Sequence, residues 1–117
     1  MSYLEEIDIP SAKERFMNNE ALYKKFLLKL PENTVMADLE QHMEAGKLDE
    51  AFRDAHTMKG MVGNLSLYKL MDAASKVTEI LRAGNRPDDA EMAELREAYN
   101  AAVAAVKEIQ ETNATLF

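Results

Sequence analysis

The sequence contains no cysteine, which excludes disulfide bonds and thiolate chemistry from its fold and its function. It also lacks any apolar run that approaches the roughly 18 residues of a membrane span. The opening stretch MSYLEEIDIP is acidic and has neither the basic nor the apolar region of a signal peptide. We therefore expect a cytoplasmic protein that does not engage a membrane.

Positive charge is also scarce, because 14 basic residues face 21 acidic ones and the formal net charge is −7. A protein that binds nucleic acid needs a basic face whose contacts release counterions from the phosphates. No cluster of lysines and arginines provides such a face, so we do not expect nucleic acid as a partner. With 47% apolar and 30% charged residues, the 117-residue chain has the composition of one globular domain over residues 1–117.

Residues that break secondary structure are few, since the chain has three prolines and four glycines, and apolar residues recur at helical spacing almost everywhere. Capping residues, prolines and glycines mark the ends of the predicted helices. The first predicted helix spans residues 11–18, and the second begins at the cap Asn19, is interrupted by Pro31 and ends at Gly46. The third spans residues 48–64, and the fourth follows the cap Ser66 and ends at Gly84. The last helix opens at Pro87 and Asp88, with Glu91 as capping-box partner.

The last predicted helix carries a heptad seam. Its core positions alternate by three and four residues and are Met92, Leu95, Tyr99, Ala102, Val106, Ile109, Asn113 and Leu116. Such a seam is typical of left-handed bundle packing. Four long helices joined by short loops predict an all-α protein, an up-down antiparallel four-helix bundle with a short extra N-terminal helix. Because the seam can be buried within one chain, we expect a monomer.

The stretch AHTMKGMVGNL, residues 55–65, places a histidine and two glycines in the middle of a predicted helix. At about 100° per residue, the core face of this helix comprises Ala51, Ala55, Met58, Met61, Val62 and Leu65. His56 lies away from that face, on a side that also carries Asp49, Phe52, Arg53, Lys59, Gly60 and Gly63. Each interior glycine costs about 1 kcal/mol relative to alanine. Two outward glycines beside a histidine indicate a flat docking surface, although for one glycine alone, packing against the next helix is an equal alternative.

The neighbours of His56 suit a nucleophile. A neutral imidazole carries a nucleophilic lone pair. Lys59 lies one turn on and can hold a dianionic group on the ring, while Arg53 lies one turn back and adds positive charge. We expect Phe52, Arg53 and Gly63 to contact a partner, with the aromatic ring as an anchor. No general base, carboxylate pair or metal cluster accompanies His56 in the sequence, so we expect no cofactor or metal of its own and a partner that brings the catalytic groups.

The string AHTMKG at residues 55–60, followed by GNL at residues 63–65, closely resembles the histidine-containing phosphotransfer (HPt) domain family. The resemblance covers nearly the whole chain, and the string is fairly specific within an all-helical domain of this size. Positions on either side that match the family's pattern are Phe16, Asn19, Tyr23, Leu27, Leu70, Ala74, Leu81 and Gly84.

The resemblance implies a phosphorelay intermediate. His56 would accept a phosphoryl group from an aspartyl phosphate on a receiver domain and pass it to an aspartate of another receiver. The partners would be receiver domains of hybrid histidine kinases and response regulators, which supply Mg²⁺ and the acidic groups. Lys59 would stabilise the phosphoryl group, and Gly60 would give it room and let the receiver approach. No glycine-rich ATP-binding segment occurs in the sequence, so we expect no kinase activity of its own.

Thr78 and Ser66 depart from the HPt pattern. Family members often use a glutamine on the next helix to hold the inner nitrogen of the imidazole, and counting without gaps puts Thr78 at that position. Many members have glycine where Ser66 stands. Two alternatives stay open on the sequence alone: a helical interaction module that binds receivers without transferring phosphate, and an unrelated helical adaptor in which the histidine is incidental.

The second histidine, His42, follows Asp38 by four residues, which places both on one face of a helix. A metal site would need further ligands. We therefore interpret His42 and Asp38 as part of a solvated face.

Overall fold

Seven α-helices and a 3₁₀ turn make up the protein in a computed structural model, which describes residues 2–117 and the side chains of residues 3–117. The helices are α1 (Ser2–Glu6), α2 (Ile9–Arg15), α3 (Glu20–Leu27), α4 (Val35–Glu44), α5 (Leu48–Asn64), α6 (Tyr68–Arg82) and α7 (Asp89–Thr112), and the 3₁₀ turn spans Leu30–Glu32. No strand occurs within residues 2–117. The prediction of an all-α protein is confirmed.

The four longest helices, α4 to α7, form a bundle. Connections of three, three and six residues join them in chain order, and connections this short make successive helices antiparallel. Helix α5 packs against both α4 and α6, and α6 packs against α7. The predicted up-down helical bundle is therefore confirmed, and α5, the helix that carries His56, lies between two neighbours.

The N-terminal helices differ from the predicted ones. The predicted short helix corresponds to α2, which begins two residues earlier because Asp8 caps it and accepts the Ser11 N–H at 3.0 Å. Helix α1 has no counterpart among the predicted helices. It packs against α7, and Ile7, just after it, is buried in the common core.

The long helix predicted for residues 19–46 is wrong, because the structure divides it into α3 and α4. Asn19 does cap α3, and its side-chain oxygen accepts the Leu22 N–H at 3.1 Å. The chain leaves the helix after Leu27 and continues through the 3₁₀ turn that contains Pro31. Proline has no N–H to donate and disfavours helical geometry in the residue before it, so a full break replaces the predicted interruption.

Most of the predicted helix ends are confirmed. Gly46 and Gly84 follow α4 and α6 with φ of +72° and +82°, the left-handed geometry that glycine adopts without strain. Asp88 accepts the Glu91 N–H at 2.7 Å, and the Glu91 carboxylate accepts the Asp88 N–H at 2.9 Å. Along α7 the predicted seam is buried at Leu95, Tyr99, Ala102, Val106 and Ile109. Asn113 is not part of it, because it is an exposed left-handed C-cap.

Ser66 forms the tight connection between α5 and α6 and is not the N-cap predicted for α6, which is Leu67. Its φ of 59° is left-handed, and the residue is fully buried. Its hydroxyl donates to the Ser11 hydroxyl oxygen at 3.1 Å, and its N–H donates to the Gly63 carbonyl at 3.1 Å. A left-handed non-glycine residue is strained by about 1–2 kcal/mol, so this position would accommodate glycine more easily.

Helix α5 is held in place by the face opposite His56. Four of its residues have no exposed surface, namely Ala51, Ala55, Met58 and Val62. Met61, predicted among them, lies at the edge of the core and is half-buried. The Tyr23 hydroxyl on α3 donates to the carbonyl of Leu65 at 2.6 Å and so fixes the C-terminal end of α5. Burial raises the pKa of Tyr23, which keeps this donor protonated.

Candidate functional site

His56 lies near the middle of α5 and is exposed. Ala55 and Met58 on either side of it are fully buried, so the backbone that carries the imidazole is anchored to the core. Within residues 2–117 the imidazole makes no hydrogen bond and no ion pair. Neither ring nitrogen is therefore committed to a partner among the described residues.

The Phe52 ring lies beside the imidazole. The centroids of the Phe52 and His56 rings are 5.8 Å apart and the rings are inclined by 23°, which is a stacked arrangement. Phe52 is half-buried and packs against the hydrophobic core. Its role as a partner anchor stays a prediction, but the structure gives it a definite contact, a flat wall along one side of the exposed imidazole.

Arg82, at the end of α6, extends this stack. Its guanidinium carbon lies 5.1 Å from the centroid of the Phe52 ring, and its Nε donates to both oxygens of the Glu79 carboxylate at 3.2 and 3.3 Å. A shallow cavity of about 460 Å³ lies beside Phe52 and Arg82, and its other lining residues are Asp49, Arg53 and Leu81. Arg82 cannot be recognised from the sequence, because its contact with Phe52 depends on how α5 and α6 are aligned.

Two further cations flank His56 on α5. Lys59 is half-buried and Arg53 is exposed, and neither forms an ion pair with any carboxylate of residues 2–117. This differs from other cations of the chain, such as Arg96, which donates to Glu40 at 2.9 Å. Two unpaired cations therefore flank the imidazole, although the whole protein is acidic and the Asp49 carboxylate lines the neighbouring cavity.

The two glycines of α5 face different surroundings. Gly60 is exposed, and a Cβ built on it would have nothing within 4 Å. Gly63 is buried, and a Cβ there would lie 2.9 Å from the sulfur of Met71 on α6. The prediction that both glycines point outward is thus wrong for Gly63, because α6 packs directly over it. For Gly63 the alternative is therefore correct, since this glycine packs against the next helix, whereas Gly60 leaves open space beside His56.

Thr78 lies on the buried side of α6. It has no exposed surface, and its hydroxyl donates to the carbonyl of Ala74 one turn earlier, at 2.6 Å. Its one hydroxyl proton is used within its own helix, and no hydrogen bond joins Thr78 to His56 in this structure. A glutamine side chain is longer and would carry two donors, which a threonine cannot replace.

His42 is not part of a solvated face, and that interpretation is wrong. Its Nδ1 lies 2.5 Å from a carboxylate oxygen of Asp54, so the pair joins α4 to α5, and both side chains are partly buried. Asp38 instead accepts a hydrogen bond from the hydroxyl of Thr34 at 3.1 Å. Within residues 2–117, no three histidine, aspartate or glutamate side chains come close enough together to hold a metal ion.

An apolar groove lies beside the C-terminal half of α5. Its volume is about 510 Å³, and its lining residues are Arg15, Phe16, Phe26, Lys29, Leu30, Asn33, Met61, Asn64 and Leu65. Phe26 is 46% exposed, and Met17, close to the groove in sequence, is 89% exposed. The groove thus combines exposed apolar side chains with the basic residues Arg15 and Lys29. We call this surface the α3–α5 groove.

No helix in the described part of the chain combines the length and the hydropathy that crossing a bilayer requires.

Comparison with known proteins identifies one family. The family model described as the Hpt domain matches residues 21–109, which is well over half of the chain. Neither the curated proteins nor the solved structures gave a significant match. Hpt domains carry phosphoryl groups in two-component phosphorelays and interact with receiver domains. The matched segment contains α3 except for its first residue, α4 to α6 and most of α7, and so includes the helix that carries His56. The chain belongs to the Hpt domain family.

Proposed function

We propose that His56 is the phosphoryl acceptor of this domain. In the forward step, the lone pair of the outer ring nitrogen, Nε2, attacks the phosphorus of an aspartyl phosphate on a receiver. The bond between phosphorus and the aspartate oxygen breaks, and the aspartate leaves as a carboxylate with the electron pair. The inner nitrogen keeps its proton, so the phosphorylated ring is an imidazolium. Transfer to a second receiver reverses these changes at another aspartate.

The observation that carries this proposal is the exposed imidazole of His56, which lies between two cations without acidic partners. A phosphoryl group on the ring would bring a double negative charge, and charge-assisted hydrogen bonds to lysine or arginine stabilise such a group. Lys59, one turn along the helix, is the cation that would hold it, and Arg53 adds to the positive potential. The acidic groups and Mg²⁺ of the reaction would come from the receiver.

The α3–α5 groove would receive the receiver domain. Its lining residue Asn64 lies one helical turn beyond Gly60 on α5, and at Gly60 the helix surface has no side chain to obstruct an approaching protein. Exposed Phe26 supplies apolar area, and Arg15 and Lys29 suit a partner whose reaction centre is acidic. A receiver seated there would bring its aspartate toward His56 past Gly60.

A second candidate is a module that binds receivers without transferring phosphate. Thr78 favours it, because its hydroxyl is committed to the Ala74 carbonyl and does not orient the imidazole. The two candidates share the docking step and differ only in whether His56 becomes phosphorylated.

Phosphotransfer from purified, phosphorylated receiver domains in the presence of Mg²⁺ tests the acceptor. Wild type, His56→Gln and His42→Gln would be compared, each shown to be folded by circular dichroism. We expect acid-labile label on wild type and His42→Gln and none on His56→Gln. Label on folded His56→Gln would refute the assignment. Receiver binding without label on wild type would establish the second candidate.

Gly60→Leu tests the docking argument. This change adds an exposed side chain in open space, so the variant should be as stable as wild type or more stable, while receiver affinity and transfer are lost. Ala104→Leu is the control, because it places the same leucine side chain on the exposed surface of α7, on another helix from His56. Normal transfer by Gly60→Leu would show that the receiver does not approach over Gly60.

A further inference from the structure

We propose that Phe52 and Arg82 position the His56 imidazole for phosphotransfer by stacking, in place of a hydrogen bond from α6. This inference rests on the proposed function of His56 as phosphoryl acceptor. It names two positioning residues, one on each of the helices that meet beside the site. Neither is required to touch the phosphoryl group.

His56 has no hydrogen bond to orient it. Its ring has no polar partner within residues 2–117, and Thr78, on the neighbouring helix, donates its hydroxyl proton to Ala74. An exposed histidine side chain without such a bond can rotate about two side-chain torsions. A nucleophile that samples several orientations spends only part of its time aimed at the incoming phosphorus.

Phe52 restricts the rotation of the imidazole. Its ring is nearly parallel to the imidazole, with 23° between the planes and 5.8 Å between the centroids. Such offset stacking is a favoured geometry for neighbouring aromatic rings. Phe52 is itself fixed, because it is half-buried and packs against the core. The imidazole therefore lies against a flat surface that is itself packed on the core.

Arg82, on α6, holds the Phe52 ring in place from the neighbouring helix. Its guanidinium lies 5.1 Å from the ring centroid, within the range of an attractive cation–π contact. The Glu79 carboxylate accepts hydrogen bonds from Arg82 Nε at 3.2 and 3.3 Å, which limits the movement of the long side chain. Arg82, Phe52 and His56 thus form a stack that crosses from α6 to α5.

The geometry of the stack can be measured without any phosphotransfer. In the unphosphorylated protein, NMR spectra should show nuclear Overhauser effects between the ring protons of Phe52 and His56. The His56 ring protons should also be displaced by the ring current of Phe52. Phe52→Leu keeps an apolar side chain of similar reach but has no flat ring, so these displacements should vanish. Unchanged His56 ring shifts in folded Phe52→Leu would overturn the proposal.

Kinetics then test whether the stack matters for transfer. With a phosphorylated receiver as donor, Phe52→Leu should lower the maximal transfer rate about 2- to 10-fold, the factor expected from one lost aromatic contact. Arg82→Gln should lower it about 2- to 5-fold. The receiver concentration at half-maximal rate should not change for Arg82→Gln, whereas the positioning role of Phe52, which is also a predicted partner contact, is read from the maximal rate alone. Phe52→Tyr keeps the aromatic ring and should restore the wild-type rate and the ring-current shifts.

The matched control is Arg86→Gln, which also removes one exposed positive charge but lies outside the stack, in the connection after α6. It should transfer at the wild-type rate. The positioning role would be overturned if Arg82→Gln transferred at the same rate as Arg86→Gln. It would also be overturned if Phe52→Leu changed only the affinity for the receiver and not the maximal rate. Absence of label on wild type would overturn the proposed function and this inference together, whereas label on wild type with an unaltered Phe52→Leu rate would overturn the inference alone.

Discussion

Gly60 and Gly63 lie about one turn apart on α5, yet an added methyl group should affect stability differently at each. Nothing lies within 4 Å of a Cβ at Gly60, so Gly60→Ala gains helix propensity alone and should raise the free energy of unfolding by about 1 kcal/mol. At Gly63 the same methyl would lie 2.9 Å from the Met71 sulfur. Met71 is half-buried and can move, but the disturbed packing costs about 1–3 kcal/mol. This cost cancels or exceeds the gain.

Urea unfolding followed by circular dichroism would measure both variants, because a domain of this size is expected to unfold in one cooperative transition. We expect Gly63→Ala to be less stable than Gly60→Ala by about 1–3 kcal/mol. The Met71→Ala background isolates the cause. Without the sulfur, Gly63→Ala should recover a stabilisation near 1 kcal/mol, measured as a double-mutant cycle. Equal stabilities of the two single variants, or an unchanged penalty in the Met71→Ala background, would refute the packing argument.

Two further predictions concern stability elsewhere in the chain. Ser66→Gly and Ser66→Ala both lose the hydroxyl, but only glycine relieves the φ of 59°, so the glycine variant should be more stable in thermal unfolding by about 1–2 kcal/mol; equal stability would show that the backbone is not strained there. The Leu116 N–H, and to a lesser extent the Phe117 N–H, donate to the Glu20 carboxylate and hold its pKa below the ordinary 4.5. A lowered carboxyl pKa stabilises the fold above pH 4.5, and the contribution is lost as the pH falls through the lowered value. The difference in stability between wild type and Glu20→Gln should therefore be constant near neutral pH and shrink in acid, and a difference that persists in strong acid would contradict this assignment.

Local sequence signals predicted the parts of the fold that depend on short-range physics. The bounds of α5 and the capping box of α7 follow from residues within a few positions of each helix end. The sequence predicts an interruption at Pro31 but not two separate helices, because the apolar stripe on both sides of this proline favours one helix. The capping geometry at Asn33, whose side chain accepts the Val35 N–H at 2.8 Å, shows that a second helix begins there.

Helical spacing predicts only the part of the candidate site that lies on one face of a single helix, α5. His56, Lys59 and Gly60 share the exposed side of α5, as the helical spacing predicts. Gly63 lies on almost the same side, and nothing in the spacing says that α6 covers it. Arg82 was missed for the same reason, since its contact with Phe52 joins two helices and is set by their relative position rather than by sequence distance.

Gly63 has a mechanical consequence that follows from its partner on α6. Phe52 lies eleven residues before Gly63 on α5, and Arg82 lies eleven residues after Met71 on the antiparallel α6, a distance of about 16 Å along each helix. The close contact of the Met71 sulfur with Gly63 is one of the contacts that set the position of α6 against α5. A large side chain at Gly63 would push α6 away from α5 at this contact and so disturb the position of Arg82 against the Phe52 ring. The orientation of the imidazole would then change without any substitution near it.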